Sequence, residues 1–165
     1  MTKVINMSLT VASIDAAIQE IKEYQAFIRR KTTEFAARLA DDGAVQALLG
    51  YEQAYYRGPK DFDVVVEERG NNSFAIVANG ETVLLLEFGA GVTYGYGHPQ
   101  AGEFGYGPGT YPDAKGHWND PKGWWLPKDA GGGHTFGNAP SMTMYKTAKG
   151  LRERLVDIAK EVFGS

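Results

Sequence analysis

The chain has 165 residues, 43% hydrophobic, with a net charge of −3 and no cysteine. That length suits one domain, Met1 to Ser165, with enough apolar material for a core of its own. The composition excludes disulfides, thiolate chemistry and Cys-ligated zinc, and the acidity argues against a dedicated nucleic-acid binder, which carries a basic stripe.

At the start, "MTKVINMSLTVAS" lacks the continuous apolar segment of a signal peptide, and no run is long enough to cross a bilayer, so the reading is a soluble, cytosolically made chain. Ile5, Met7, Leu9 and Val11 alternate with polar partners, which predicts a short strand with one buried face. Ser13 then has the chemistry of a helix N-cap.

A long helix is predicted next. Ile14, Ile18, Ile21, Gln25, Ile28, Thr32, Phe35 and Leu39 recur at three- and four-residue steps and form one mainly apolar stripe. Gly43 is expected to close this helix in a left-handed cap, and "AVQALLGYEQAYY" to add a short helix before Gly58-Pro59. The run Arg29-Arg30-Lys31 reads as a solvated face.

Three strands of a meander are expected after that: "DFDVVVEER", "FAIVAN" and "ETVLLLEF". Gly70 to Ser73 is a turn cluster, and Asn79-Gly80 is a strong hairpin signal because a type I′ turn needs positive φ twice.

From Gly89 to Pro140 the backbone dominates. Fourteen of the 21 Gly lie here, with all three Trp and all three His. Disordered segments are poor in aromatics, so this loop is expected to be ordered by packing, on its own domain or on a neighbouring subunit. Ser141 can cap a final amphipathic helix, whose apolar stripe is Met144, Ala148, Leu151, Leu155, Ile158, Ala159 and Val162. The predicted class is α+β: an antiparallel β-meander packed by a long N-terminal and an amphipathic C-terminal helix, with a long Gly/aromatic loop insertion. Within the single domain, residues 4–88 carry strand, helix and meander, 89–140 the loop and 141–163 the last helix.

Candidate chemistry is sparse. His98, His117 and His134, with Asp113 and Asp120 between them, stand 19 and 17 residues apart, which matches no metal-binding pair on one helix or strand, and no metal or other cofactor is assigned. The pieces Gly89-x-Gly91 and Gly105-x-Gly107-x-Gly109 complete no phosphate loop. No nucleophile motif is present, and Ser73 or Ser141 beside a histidine would be needed for a triad. Glu67, Glu68, Glu81, Glu87 and Glu103 could supply a glycosidase pair, with Trp118, Trp124 and Trp125 stacking sugars. A carbohydrate- or cell-wall-binding module, or a small wall hydrolase, is therefore the alternative reading. Coplanar exposed rings would favour it, and rings buried at an interface would not.

The stretch "NGETVLLLEFGAGV", Asn79 to Val92, resembles the hallmark segment of the tailed-phage tail-completion family, the head–tail joining or neck proteins also described as minor tail components. Their E-F-G-T-G type motif reads here Glu87-Phe88-Gly89-Ala90-Gly91, with Ala90 where Thr is common. "GYGPGTY", "GWW" and "TFGNAPSMTMYKTAKGLRERL" are similar to a subgroup found in prophages of Gram-positive gut bacteria; motif, loop and final helix come in the family's order, and the likeness runs approximately from Ile14 to Phe163. The resemblance implies a non-enzymatic structural virion protein of a siphophage or prophage. Assembled in the host cytoplasm, it would sit as a ring between the connector and the tail-tube or terminator proteins. DNA would pass through the lumen without sequence-specific binding, and no membrane would be involved. The loop would be the joint, with Tyr94, Tyr96, Tyr106, Tyr111, Trp118, Trp124 and Trp125 as interface anchors, since aromatics dominate such contacts. Phe88 is expected to stay in the core while Gly89 and Gly91 let the chain leave the sheet. Glu87 is expected to accept backbone N–H groups at the strand-to-loop exit.

Overall fold

The apolar stripe of residues 14–39 does become a helix, but one that passes both of its expected boundaries. The computed structural model describes residues 3–94, 97–106 and 120–164. In it α1 runs unbroken from Val11 to Gln53, roughly 65 Å at 1.5 Å per residue. Its N-cap is Thr10, in extended backbone, whose hydroxyl accepts from the Ser13 N–H. The Ser13 hydroxyl in turn accepts from the Ser8 N–H, so the expected cap braces the incoming chain instead.

The predicted first strand is absent. Residues 3–10 have no regular structure: Lys3 reaches α1, pairing with Glu20 at 3.0 Å over the Tyr24 ring, while Val4, Met7 and Leu9 are exposed. An alternating segment becomes a strand only where another strand can satisfy its backbone, and here a helix surface is the neighbour.

Gly43 does not cap α1. It is buried in mid-helix because a Cβ there would lie 2.4 Å from Ile76 Cδ1 and 2.7 Å from Leu151 Cδ1. The glycine permits close approach of two elements, which local sequence cannot distinguish from a helix end. The expected short helix over residues 44–56 is therefore the last part of α1.

Two strands of the meander form. β1 (Asp63–Gly70) and β2 (Ser73–Asn79) are antiparallel, with Val65 opposite Val77 and Glu67 opposite Ala75. Asn71 and Asn72 both have positive φ, so this turn carries the type I′ signature expected at Asn79-Gly80. The hairpin lies along the second half of α1, with the Thr33 hydroxyl bonded to the Asn72 side chain.

The expected third strand is a helix, α2 (Val83–Phe88). Gly80 bends the chain where a Cβ would meet the Asp61 carbonyl at 2.2 Å. The Thr82 hydroxyl donates to the Asp61 carbonyl at 2.7 Å and accepts from the Asp61 N–H at 3.0 Å. That clamp turns the chain away from β2. Three consecutive leucines have no alternation, so the run fits a buried helix as well as a strand. As a helix it buries Val83, Leu86 and Glu87, at i, i+3 and i+4.

Within the loop, β3 (Trp124–Leu126) and β4 (Gly133–Thr135) make a second antiparallel ribbon, with Trp125 opposite His134. The last helix, α3 (Thr143–Phe163), packs antiparallel on the second half of α1. Gly50 of α1 receives Thr143, Gly43 receives Leu151, and the Phe35 and Phe163 rings meet at 6.0 Å. The class is α+β, with two two-stranded sheets among the described residues in place of one meander. Among the described residues no helix is long and apolar enough to cross a membrane.

A buried core lies where the C-terminal end of α1 meets α2: Tyr51, Val83 and Leu86, surrounded by Phe62, Ala78 and Met144.

Candidate functional site

Helix α3 begins without a cap of its own. Its N-cap position is Met142, which has left-handed backbone and no capping side chain. The first N–H groups of a helix have no intrahelical partner and must find one elsewhere. Here the partner is Glu87, the last buried residue of α2. Its Oε2 accepts from the Met144 N–H at 2.9 Å and its Oε1 from the Tyr145 N–H at 3.1 Å. A carboxylate at a helix N-terminus is also favoured by the macrodipole.

Two side chains complete the shell. The Tyr51 hydroxyl donates to Glu87 Oε2 at 3.1 Å, and His98 Nε2 lies 3.2 Å from Oε1. Nδ1 of His98 accepts from the Gln100 N–H at 3.1 Å, so the ring proton belongs on Nε2 and points at the carboxylate. Glu87, His98 and Tyr51 are 5%, 3% and 0% exposed. Burial first, and then the Glu87 charge and hydrogen bond, push the Tyr51 hydroxyl well above the ordinary tyrosine range, so it stays a donor. Each carboxylate oxygen thus accepts two hydrogen bonds. A carboxylate so saturated is an anchor, since two of its bonds hold the first turn of α3 and a third ties it to α1.

The backbone repeats the splice. Ser141 and Met142 N–H groups donate to the Leu86 and Glu87 carbonyls at 2.7 and 3.2 Å, so the end of α2 and the start of α3 satisfy each other. Glu87 does accept backbone N–H groups, as expected, but they belong to α3, 57 and 58 residues away, and it leaves a helix instead of a strand.

The glycines of the motif close the loop base. Ala90 and Asn138 exchange backbone hydrogen bonds at 2.9 and 3.0 Å, an isolated antiparallel bridge. Gly91 and Gly137 flank it with φ of +86° and +101°, and Cβ atoms there would come 2.3 Å from the Phe136 carbonyl and 1.9 Å from the Ala90 carbonyl. The Asn138 side chain adds a bond to the Leu85 carbonyl at 2.7 Å.

Beyond this base the chain folds back on itself. Phe88 is half-buried, so it is not the core residue expected of it. It stacks on Tyr106 at 4.4 Å and packs against His98 and Phe104 at 4.5 and 5.8 Å. Of the expected anchors, Tyr106 is therefore occupied with Phe88, and Trp124 is buried at 7% exposure. Trp125, the next residue along the strand, is 76% exposed, and Tyr94 is exposed in a 3-10 turn. Tyr94 and Trp124 line a cleft of about 260 Å³ with Tyr55, His134 and Phe136. Tyr96, Tyr111 and Trp118 lie outside the described residues, as do His117 and Asp113.

The described histidines are separated by their surroundings. His98 belongs to the Glu87 anchor, and His134 sits edge-on between Trp125 and Phe136. Among the described residues no cluster of three His, Asp or Glu could hold a metal. Glu67 pairs with Arg69 near the hairpin turn, and Glu103 bonds to Gln100. Sequence reasoning missed Tyr51 and Asn138. Tyr51 is one aromatic in a helix full of them, and only the fold brings it to a carboxylate 36 residues away. No family model, curated protein or solved structure matches the chain.

Proposed function

We propose that this chain is a structural subunit of a siphophage or prophage neck, a ring-forming protein that joins the head connector to the tail. Two supports come from different levels. The motif Glu87 to Gly91, the loop and the final helix occur in the order of the tail-completion proteins they resemble. The same motif acts as a splice: Glu87 anchors α3, and Gly91 lets an aromatic ribbon emerge over a closed base.

The observation that carries the reading is Trp125. Its neighbour Trp124 is buried, β3 is held by β4, and the indole is nevertheless directed outward at 76% exposure. A large ring on a braced ribbon loses little entropy on binding, which is what an interface anchor needs. Net acidity suits a lumen that DNA slides through, since fixed Lys and Arg contacts would hold it. Consecutive strand residues point to opposite faces, so Trp124 and Trp125 form no coplanar sugar platform.

The test is made in the phage. Trp125→Glu is expected to yield DNA-filled heads and free tails that fail to join, with the purified variant melting as wild type. Normal yields of infectious tailed particles from Trp125→Glu and Tyr94→Glu together would overturn the reading.

A further inference from the structure

Helix α1 is about twice as long as the helix that covers it. α3 has 21 residues, and its last ring, Phe163, meets Phe35, while the hairpin turn reaches Thr33. Residues 11–30 therefore extend past both, about 30 Å of helix. The start of the chain touches one side of this overhang, through Lys3 on Glu20 and Tyr24, while Val4, Met7 and Leu9 stay exposed. The side beside it carries Ile14, Ile18, Ile21 and Ile28, of which Ile18 and Ile21 are each 45% exposed.

Ile14, Ile18, Ile21, Gln25 and Ile28 follow steps of four, three, four and three, and Thr32, Phe35 and Leu39 continue them. This is a heptad seam. Toward its C-terminal end the same helix face is the one that receives α3 and β2 at Gly43. The overhang thus presents, uncovered, a surface that the rest of α1 buries.

Charge identifies what covers it. Asp15 and Arg29 each follow a seam isoleucine, and neither forms an ion pair among the described residues, whereas Lys3, Glu20, Lys31 and Glu34 do. Asp15 and Arg29 are both seven residues from Lys22. Two copies of the overhang laid antiparallel about Lys22 bring each Asp15 opposite the other copy's Arg29, twice by symmetry. A parallel, in-register arrangement leaves Asp15 and Arg29 about 21 Å apart along the axis, so neither is paired.

We infer that a second copy of this chain docks on the overhang, as an antiparallel, two-fold helix pair through the Ile14–Ile28 seam. Such a contact closes on itself and leaves Trp125 and the loop free; a polar ring has no two-fold between its subunits, so the pair is a state of the free chain, goes beyond the neck reading and stands or falls separately. The seam is only two heptads long and sets Lys22 against its copy, which places the interface at the small, reversible end of the range.

Sedimentation of the full chain over a concentration series is expected to show a monomer–dimer equilibrium with micromolar Kd, tightened by Lys22→Ala. Asp15→Arg and Arg29→Asp should each weaken dimerisation at least tenfold, and mixing the two variants should restore a heterodimer. Because the chain has no cysteine, orientation can be read directly. Ile18→Cys mixed with Ile28→Cys should oxidise to the mixed disulfide in excess over either homodisulfide. A monomer at concentrations on the order of 100 µM, charge variants that dimerise like wild type, or a predominance of homodisulfides would each overturn the inference. A failed dimer leaves the particle-joining assay unaffected, and a failed joining assay leaves the dimer.

Discussion

Replacing Glu87 by Gln keeps the shape of the side chain and removes its charge, which isolates what the carboxylate does. In the native protein each oxygen accepts two hydrogen bonds, from Met144 N–H and Tyr51 on one side and from Tyr145 N–H and His98 on the other. An amide has one accepting oxygen. If its NH2 group replaces Oε1, it faces the Tyr145 N–H. If it replaces Oε2, the Tyr51 hydroxyl can rotate to accept, but the Met144 N–H cannot. Either way one buried backbone donor meets another donor, at a cost of about 1–3 kcal/mol, and the remaining bonds lose their charge assistance. The total is about 3–5 kcal/mol: the orphaned donor plus roughly 1 kcal/mol for each remaining bond that loses the charge, offset in part by the relieved desolvation of the carboxylate. For a chain of this size that lowers Tm by roughly 6–20 °C. Thermal and urea unfolding followed by circular dichroism measure it, with exposed Glu103→Gln as a control expected within about 0.5 kcal/mol of wild type. A Glu87→Gln loss below about 1 kcal/mol would refute the claim that this carboxylate anchors α3.

Tyr51→Phe keeps the ring in the core and removes one of four donors, so a loss of about 2 kcal/mol is expected, less than additive with Glu87→Gln in a double-mutant cycle. Because the folded protein raises the Tyr51 pKa, that contribution is fully present below the unfolded value of about 10 and is lost as pH rises above it. Wild-type stability should therefore fall more steeply than that of Tyr51→Phe in alkaline urea titrations. Gly137→Ala sets a Cβ against the Ala90 carbonyl at positive φ and should cost about 2 kcal/mol or more in the same assay, opening the loop base. Gly150→Ala lies inside α3 with only the Gln46 side chain nearby, and should stabilise by about 0.5–1 kcal/mol.

The sequence by itself determined what repeats at short range. The stripes of α1 and α3 are legible because every third or fourth residue must be apolar for a helix to lie on a core. β1 and β2 are legible from their β-branched runs and the turn between them. The α+β class follows from these. Tertiary structure decided the positions where two local readings had equal merit. Gly43 reads as a helix end until Ile76 and Leu151 are seen to need the space. Leu84-Leu85-Leu86 suits strand or helix, and the Asp61–Thr82 clamp selects the helix. Glu87 carries no mark in its neighbourhood that it caps a helix beginning at Thr143, with Tyr51 and His98 as its other donors. Periodicity records which side of an element faces inward. Hydrogen bonds between residues 36 and 58 positions apart depend on where the elements stop and turn, and the packed chain alone sets that.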